Sequence, residues 1–149
     1  MTLERLLRFR LQSRHPLPER ASTDLAVQWL SPEGLWEPQD LTLTMPGFRI
    51  YLISLLICQH FYLVANARER RIPLERVQAD FTVSAREDWI LDSVTGEFQI
   101  QLDGSALVQG GGSMCREDLA FIEERMKACP VSRNLAPGVQ KRTRVTVIS

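Results

Sequence analysis

Three cysteines, Cys58, Cys115 and Cys129, are the residues of this chain whose type could do covalent chemistry, since a thiolate is a nucleophile at neutral pH when its surroundings favour the charge. Cys58 sits inside the apolar run "LISLLICQHFYLV". On a helix it shares a face with Ser54, Leu55, Phe61 and Tyr62, whereas His60 lies about 200° around the axis and is a poor base for it. A mid-helix cysteine gains nothing from a helix N-terminus, so a lowered pKa would need a cation from elsewhere. Taken alone, Cys58 reads as a small buried hydrophobe. Cys129, in "ERMKACPVSRNL", has a different setting. A helix runs into it, and Pro130 suits the first position of a new helical turn. Cys129 would then be an N-cap, where amide groups and the positive helix end favour a thiolate, with Arg133 adding charge. A helix-ending cysteine without chemistry fits the same residues. Cys115 follows a glycine loop, and its neighbours offer no partner, so it reads as an incidental thiol.

The remaining chemistry is narrow. Two histidines and no CxxC do not supply the clustered ligands of structural zinc, so no metal or cofactor is expected. An odd count of three cysteines does not make a secreted disulfide framework. The glycines of "QGGGS" lack a following GK[ST] and do not form a phosphate loop. The formal charge is zero, which gives no overall pull toward nucleic acid or anionic membrane. Arginines gather in the first 20 residues and basic residues again after 125, with most acids between, a pattern expected of a solvated surface. "MTLERLLRFRLQSRHP" alternates charge with leucine and has no apolar signal-peptide core. The apolar run 50–65 is shorter than the roughly 20 residues that span a bilayer, and it contains Gln59 and His60. A cytoplasmic protein without membrane or nucleic-acid partners is the expectation.

The elements that must position the cysteines follow from periodicity. "RLLRFRLQS" alternates, with Leu7, Phe9 and Leu11 on one face, and reads as a half-buried strand. "DLAVQWLS" is a second strand, and "LWEPQDLTLTM" a third, where Pro38 favours an edge. Residues 48–70 hold no turn residue until the charged "ARERRIP", and their length and Leu/Ala/Arg content predict a long central helix buried on nearly all sides. "LERVQADFTVSA" and "GEFQIQLDGSALV" return to strand alternation. Ser113 is placed to cap a helix over "REDLAFIEERMKA", with Leu119, Ile122 and Met126 at helical spacing. "QKRTRVTVI" is a final strand. The order βββ-α-ββ-α-β predicts one α+β domain with a mostly antiparallel sheet.

Two of these segments resemble the OsmC/Ohr family of osmotically inducible and organic hydroperoxide resistance proteins. "ISLLICQHFYLVANARERRIPLERVQADFTV" is similar to the family's central helix and following strand, and "EDLAFIEERMKACPVSRNL" to its later helix ending in Cys-Pro. The resemblance covers most of residues 45–149, whereas the first 45 match only as strands. It implies a single OsmC-like domain over 1–149, with N-terminal strands in 1–45 and a helix–strand core in 46–149. The implied architecture is an antiparallel sheet packed on a long buried central helix and a second helix, in an intertwined homodimer with two active sites at the subunit interface. It implies a thiol peroxidase for organic or inorganic hydroperoxides, Cys58 being the peroxidatic cysteine and Cys129 the resolving one. The implied reductant is an external dithiol, which in the family can be a lipoylated protein.

The sequence departs from the family at one functional position. Active members carry a glutamate ten residues before the first cysteine, in a Pro-Glu motif, paired with an arginine that activates the thiolate. Phe48 stands there, in "MPGFRIY", and no acid lies between Asp40 and Cys58. Arg49 is the adjacent candidate cation, and Arg8, Arg10, Arg14 and Arg20 are others. Phe48, Tyr51, Phe61 and Tyr62 surround Cys58 with rings that could line a substrate site. They equally support a second expectation, a non-catalytic dimer that binds a hydrophobic small molecule or a protein partner. A redox sensor using the same cysteine pair is a third.

Overall fold

A computed structural model describes residues 4–104 and 116–148. The "QGGGS" turn, the Ser113 cap, Cys115 and the end of "GEFQIQLDGSALV" lie outside the described residues. The elements are β1 (Arg5–Arg14), β2 (Thr23–Leu30), β3 (Trp36–Pro38), α1 (Gly47–Glu69), β4 (Leu74–Ala85), β5 (Leu91–Leu102), α2 (Arg116–Lys127), α3 (Pro130–Arg133) and β6 (Gln140–Ile148). One six-stranded sheet runs in the order β3-β2-β1-β4-β5-β6. Its pairs are antiparallel except β5–β6, which is parallel because α2 and α3 form the crossover between them. The α+β class and the helix–strand order expected from the sequence are those observed.

Two strands differ in extent. The third predicted strand shrinks to three residues: the Gln39 N–H still reaches the Val27 carbonyl at 2.8 Å, and Leu41 and Leu43 beyond it are exposed. β5 begins at Leu91, five residues before the predicted Gly96, since the β4–β5 ladder already pairs Val83 with Val94 and Ser84 with Ser93. Glycine at 96 disguised that continuation.

Period-two alternation builds the core. Phe9 lies opposite Phe81, and Phe81 opposite Gly96, with Leu11, Ala79 and Phe98 forming the next row on the same face. All but Gly96 are buried hydrophobics, and α1 packs its Leu52, Ile53, Leu55, Leu56 and Leu63 into that face. Fully burying one such side chain contributes about 1.5–3 kcal/mol. Gly96 lets the helix come close, since a Cβ there would stand 3.3 Å from Gln59 Oε1 and 3.0 Å from Phe98 Cε1. α2 buries Ile122 and Met126 and is tied at two points: Asp118 accepts from Arg70 at 2.8 Å, and Glu123 accepts the Val145 N–H at 2.8 Å.

α1 is less enclosed than expected. Tyr51, Ser54, Cys58, Phe61 and Ala65 follow a three-to-four residue spacing along it and form a stripe that is exposed or only half buried. Phe61 is 66% exposed. The helix is thus apolar on two faces, one spent on its own sheet and the other uncovered. Its 23 residues are long and apolar enough to cross a bilayer by length and composition, and 44% of the apolar window is buried inside the chain.

Candidate active site

Cys58 and Cys129 come together although they are 71 positions apart in sequence. Cys58 lies on the outward stripe of α1, half buried, and Cys129 stands fully buried at the corner between α2 and α3. α2 ends there because Pro130 cannot continue it and instead starts α3 at its first position. Cys129 is the N-cap, with extended backbone (φ −62°, ψ 149°), and its Sγ accepts the Ser132 N–H at 3.4 Å. The capping geometry read from "ACPVSRN" is therefore present. Both thiols are free.

Burial pushes the Cys129 thiol up to about 11. A hydrogen bond to Cys58 and the repulsion of a charge there push it the same way, while the Ser132 and Val131 amides oppose. Burial first, and Cys58 beside it second, thus favour the protonated thiol.

The other candidate residues are placed elsewhere in the same chain. Phe48 is ten residues upstream of Cys58, roughly 15 Å along the helix axis, and its ring meets Trp89 edge-on at 5.5 Å. Arg49 stacks over Trp29 at 3.7 Å and donates to Gln39 Oε1 at 3.3 Å. Arg10 stacks on Trp36 at 3.9 Å, with Arg8 at 5.8 Å from the same ring. Arg20 pairs with Asp103 at 2.8 Å. Each of these arginines has a partner of its own within the chain, distinct from Cys58. Tyr51, Phe61 and Tyr62 remain on the helix stripe around Cys58, with the Phe61 and Tyr62 rings 6.2 Å apart.

His60 is turned away from Cys58, as its helical position requires. It points into the core, where Nε2 lies 2.8 Å from Ser13 Oγ; the same oxygen is 2.9 Å from His15 Nε2. His15 Nδ1 is 3.2 Å from the Arg20 carbonyl and must carry the proton to donate to it. Neutral His15 then accepts the Ser13 hydroxyl at Nε2, and Ser13 Oγ accepts from His60 Nε2–H. Burial, and secondarily His15, lower the His60 pKa to about 4. Sequence reading missed this trio because it ended the inner face of the first strand at Leu11; the same alternation carried on reaches Ser13 and His15. It also missed Ser132, which the three-residue spacing from an N-cap could have flagged.

No family model and no curated protein matches the chain. Solved structures do match. An OsmC-like protein of Mycoplasma pneumoniae aligns over 100% of this chain and 98% of its own, with 14% identity and a TM-score of 0.55. The fold is OsmC-like. A structural-genomics structure covers 83% of this chain and 90% of its own, at 14% identity and TM-score 0.57. A Psychrobacter arcticus 273-4 protein, assigned to osmotic stress and detoxification responses, covers 82% and 88% at 13% identity and TM-score 0.53. The OsmC-like fold thus contains the chain from its first strand, including the residues that resembled the family only as strands.

Proposed function

We propose that this OsmC-like chain is a cysteine-based thiol peroxidase that reduces organic or inorganic hydroperoxides. The observation that carries the reading is the pairing of a half-exposed thiol on α1 with a buried thiol at the α2–α3 corner. The Cys58 thiolate attacks the terminal peroxide oxygen; the O–O bond breaks, alkoxide (hydroxide from an inorganic peroxide) leaves and takes a proton from solvent, and Cys58 becomes a sulfenic acid. Cys129 then attacks the Cys58 sulfur, the S–O bond breaks, and water leaves with the thiol proton. An external dithiol, a lipoylated protein among the candidates, reduces the disulfide by exchange and is itself oxidised. The detoxification assignment of the Psychrobacter arcticus relative accords with this chemistry.

The uncovered apolar stripe of α1 supports a homodimer in which a second copy lies over Cys58, Tyr51 and Phe61. One equivalent of cumene hydroperoxide should convert the reduced protein to a Cys58–Cys129 disulfide within seconds, mapped by non-reducing peptide mass spectrometry. Cys58→Ser should abolish turnover, and Cys129→Ser should stop at a dimedone-reactive sulfenic acid. Slow, indiscriminate oxidation of all the thiols would refute the reading.

Phe48 in place of an acid favours a second reading, a non-catalytic dimer that binds a hydrophobic molecule or a protein partner at the same stripe. Under that reading one equivalent of cumene hydroperoxide leaves Cys58 and Cys129 reduced. A redox sensor would form the disulfide without multiple turnovers in the presence of excess dithiol.

A further inference from the structure

Ser132 is 1% exposed, and its Oγ has no hydrogen-bond partner among the described residues. An unpaired buried hydroxyl destabilises a fold, so in the resting protein alanine would serve this position better. The residue occupies the third position of α3, counted from the Cys129 N-cap, and a side chain there turns back toward the cap. Its usual partner, the N-cap N–H, is already engaged, because Cys129 N–H donates to the Met126 carbonyl at 3.2 Å. What remains on that side is the Cys129 sulfur, 3.4 Å from the Ser132 amide nitrogen. A thiol is a weak acceptor and a thiolate a strong one.

We propose that the Ser132 hydroxyl is the hydrogen-bond donor held for the Cys129 thiolate, turning onto Sγ when Cys129 ionises to attack the oxidised Cys58. The inference rests on the resolving role proposed for Cys129. In that step the Cys129 thiolate displaces hydroxide from the Cys58 sulfenic acid; an S–S bond forms, an S–O bond breaks, and hydroxide takes up the proton that Cys129 released. Ser132 keeps its own proton and lowers the cost of the charge on sulfur. Cys58 from α1 lies beside Cys129, and Lys141 from β6 donates from Nζ to the Ser132 carbonyl at 3.2 Å.

The first test needs no peroxide. In a Cys58→Ser, Cys115→Ser background Cys129 is the single cysteine, and its thiolate absorbance at 240 nm can be titrated directly. Ser132→Ala should raise the midpoint by about one pH unit, the size of one hydrogen bond to a charged group, and Ser132→Thr should restore most of it. In the Cys115→Ser protein, Ser132→Ala should slow disulfide closure roughly tenfold at neutral pH and displace its pH profile upward by the same unit. The melting temperature should hold or rise, since no bond of the resting fold is lost; a serine with a structural role would lower it. An unchanged midpoint in the single-cysteine protein overturns the proposal. A wild type that never oxidises Cys58, with the Ser132 shift still present, would refute the peroxidase reading and leave the donor role supported.

Discussion

Acid should destabilise this fold through His60. Its ring is 3% exposed, bonded to Ser13, and its pKa is lowered from 6.5 to about 4, by burial first and by His15 second. A base with a depressed folded pKa takes up its proton more readily in the unfolded chain, so the unfolded state gains as pH falls. The stabilisation is complete above pH 6.5 and is lost as pH drops from 6.5 toward 4. That gap is worth about 3 kcal/mol in all, with about 2 kcal/mol gone by pH 5. His15, whose pKa is lowered by burial and by the Arg20 charge, adds to the loss in the same direction. His60→Gln keeps an N–H for Ser13 Oγ and removes the titration. Urea unfolding of both proteins at one concentration, at steps between about pH 7.5 and pH 5, isolates the His60 share. Wild type should lose about 2 kcal/mol more than the variant across that range. Parallel profiles would refute the assignment, meaning that the buried ring exchanges its proton as freely folded as unfolded.

Two further outcomes follow from packing. Gly96→Ala places a methyl group 3.0 Å from Phe98 Cε1, in a core where the Phe98 and Phe81 rings are fully buried; thermal melts should show a loss of about 1–3 kcal/mol. Phe61→Asp puts a charge in the uncovered stripe of α1, where the side chain is 66% exposed in the single chain. If a second copy covers it, sedimentation should show dimerisation weakened by at least about a hundredfold, with the monomer still folded; a wild type that sediments as a monomer at micromolar concentration would refute the dimer.

Much of the architecture was legible because it is local. Alternation in "RLLRFRLQS" and "LERVQADFTVSA", the unbroken apolar length of α1 and the Cys-Pro corner each depend on residues within one element, where backbone periodicity and proline stereochemistry act directly. The same locality explains why His60 was correctly turned away from Cys58. The failures were long-range. β3 was overextended because nothing local says that "LTLTM" has no neighbour to pair with, and β5 was shortened because its first residues owe their conformation to β4.

By itself, the sequence determined the α+β class, the element order and the capping role of Cys129, since each follows from spacing along a few turns or a few strand residues. It also placed two thiols in settings that resembled a redox pair. Only the tertiary structure decided that the α1 and α2–α3 thiols meet, that burial and Cys58 keep Cys129 protonated, and that Arg49 belongs to Trp29 and Gln39. Those outcomes depend on how one helix lies against a sheet and another helix, and sequence periodicity carries no record of that distance.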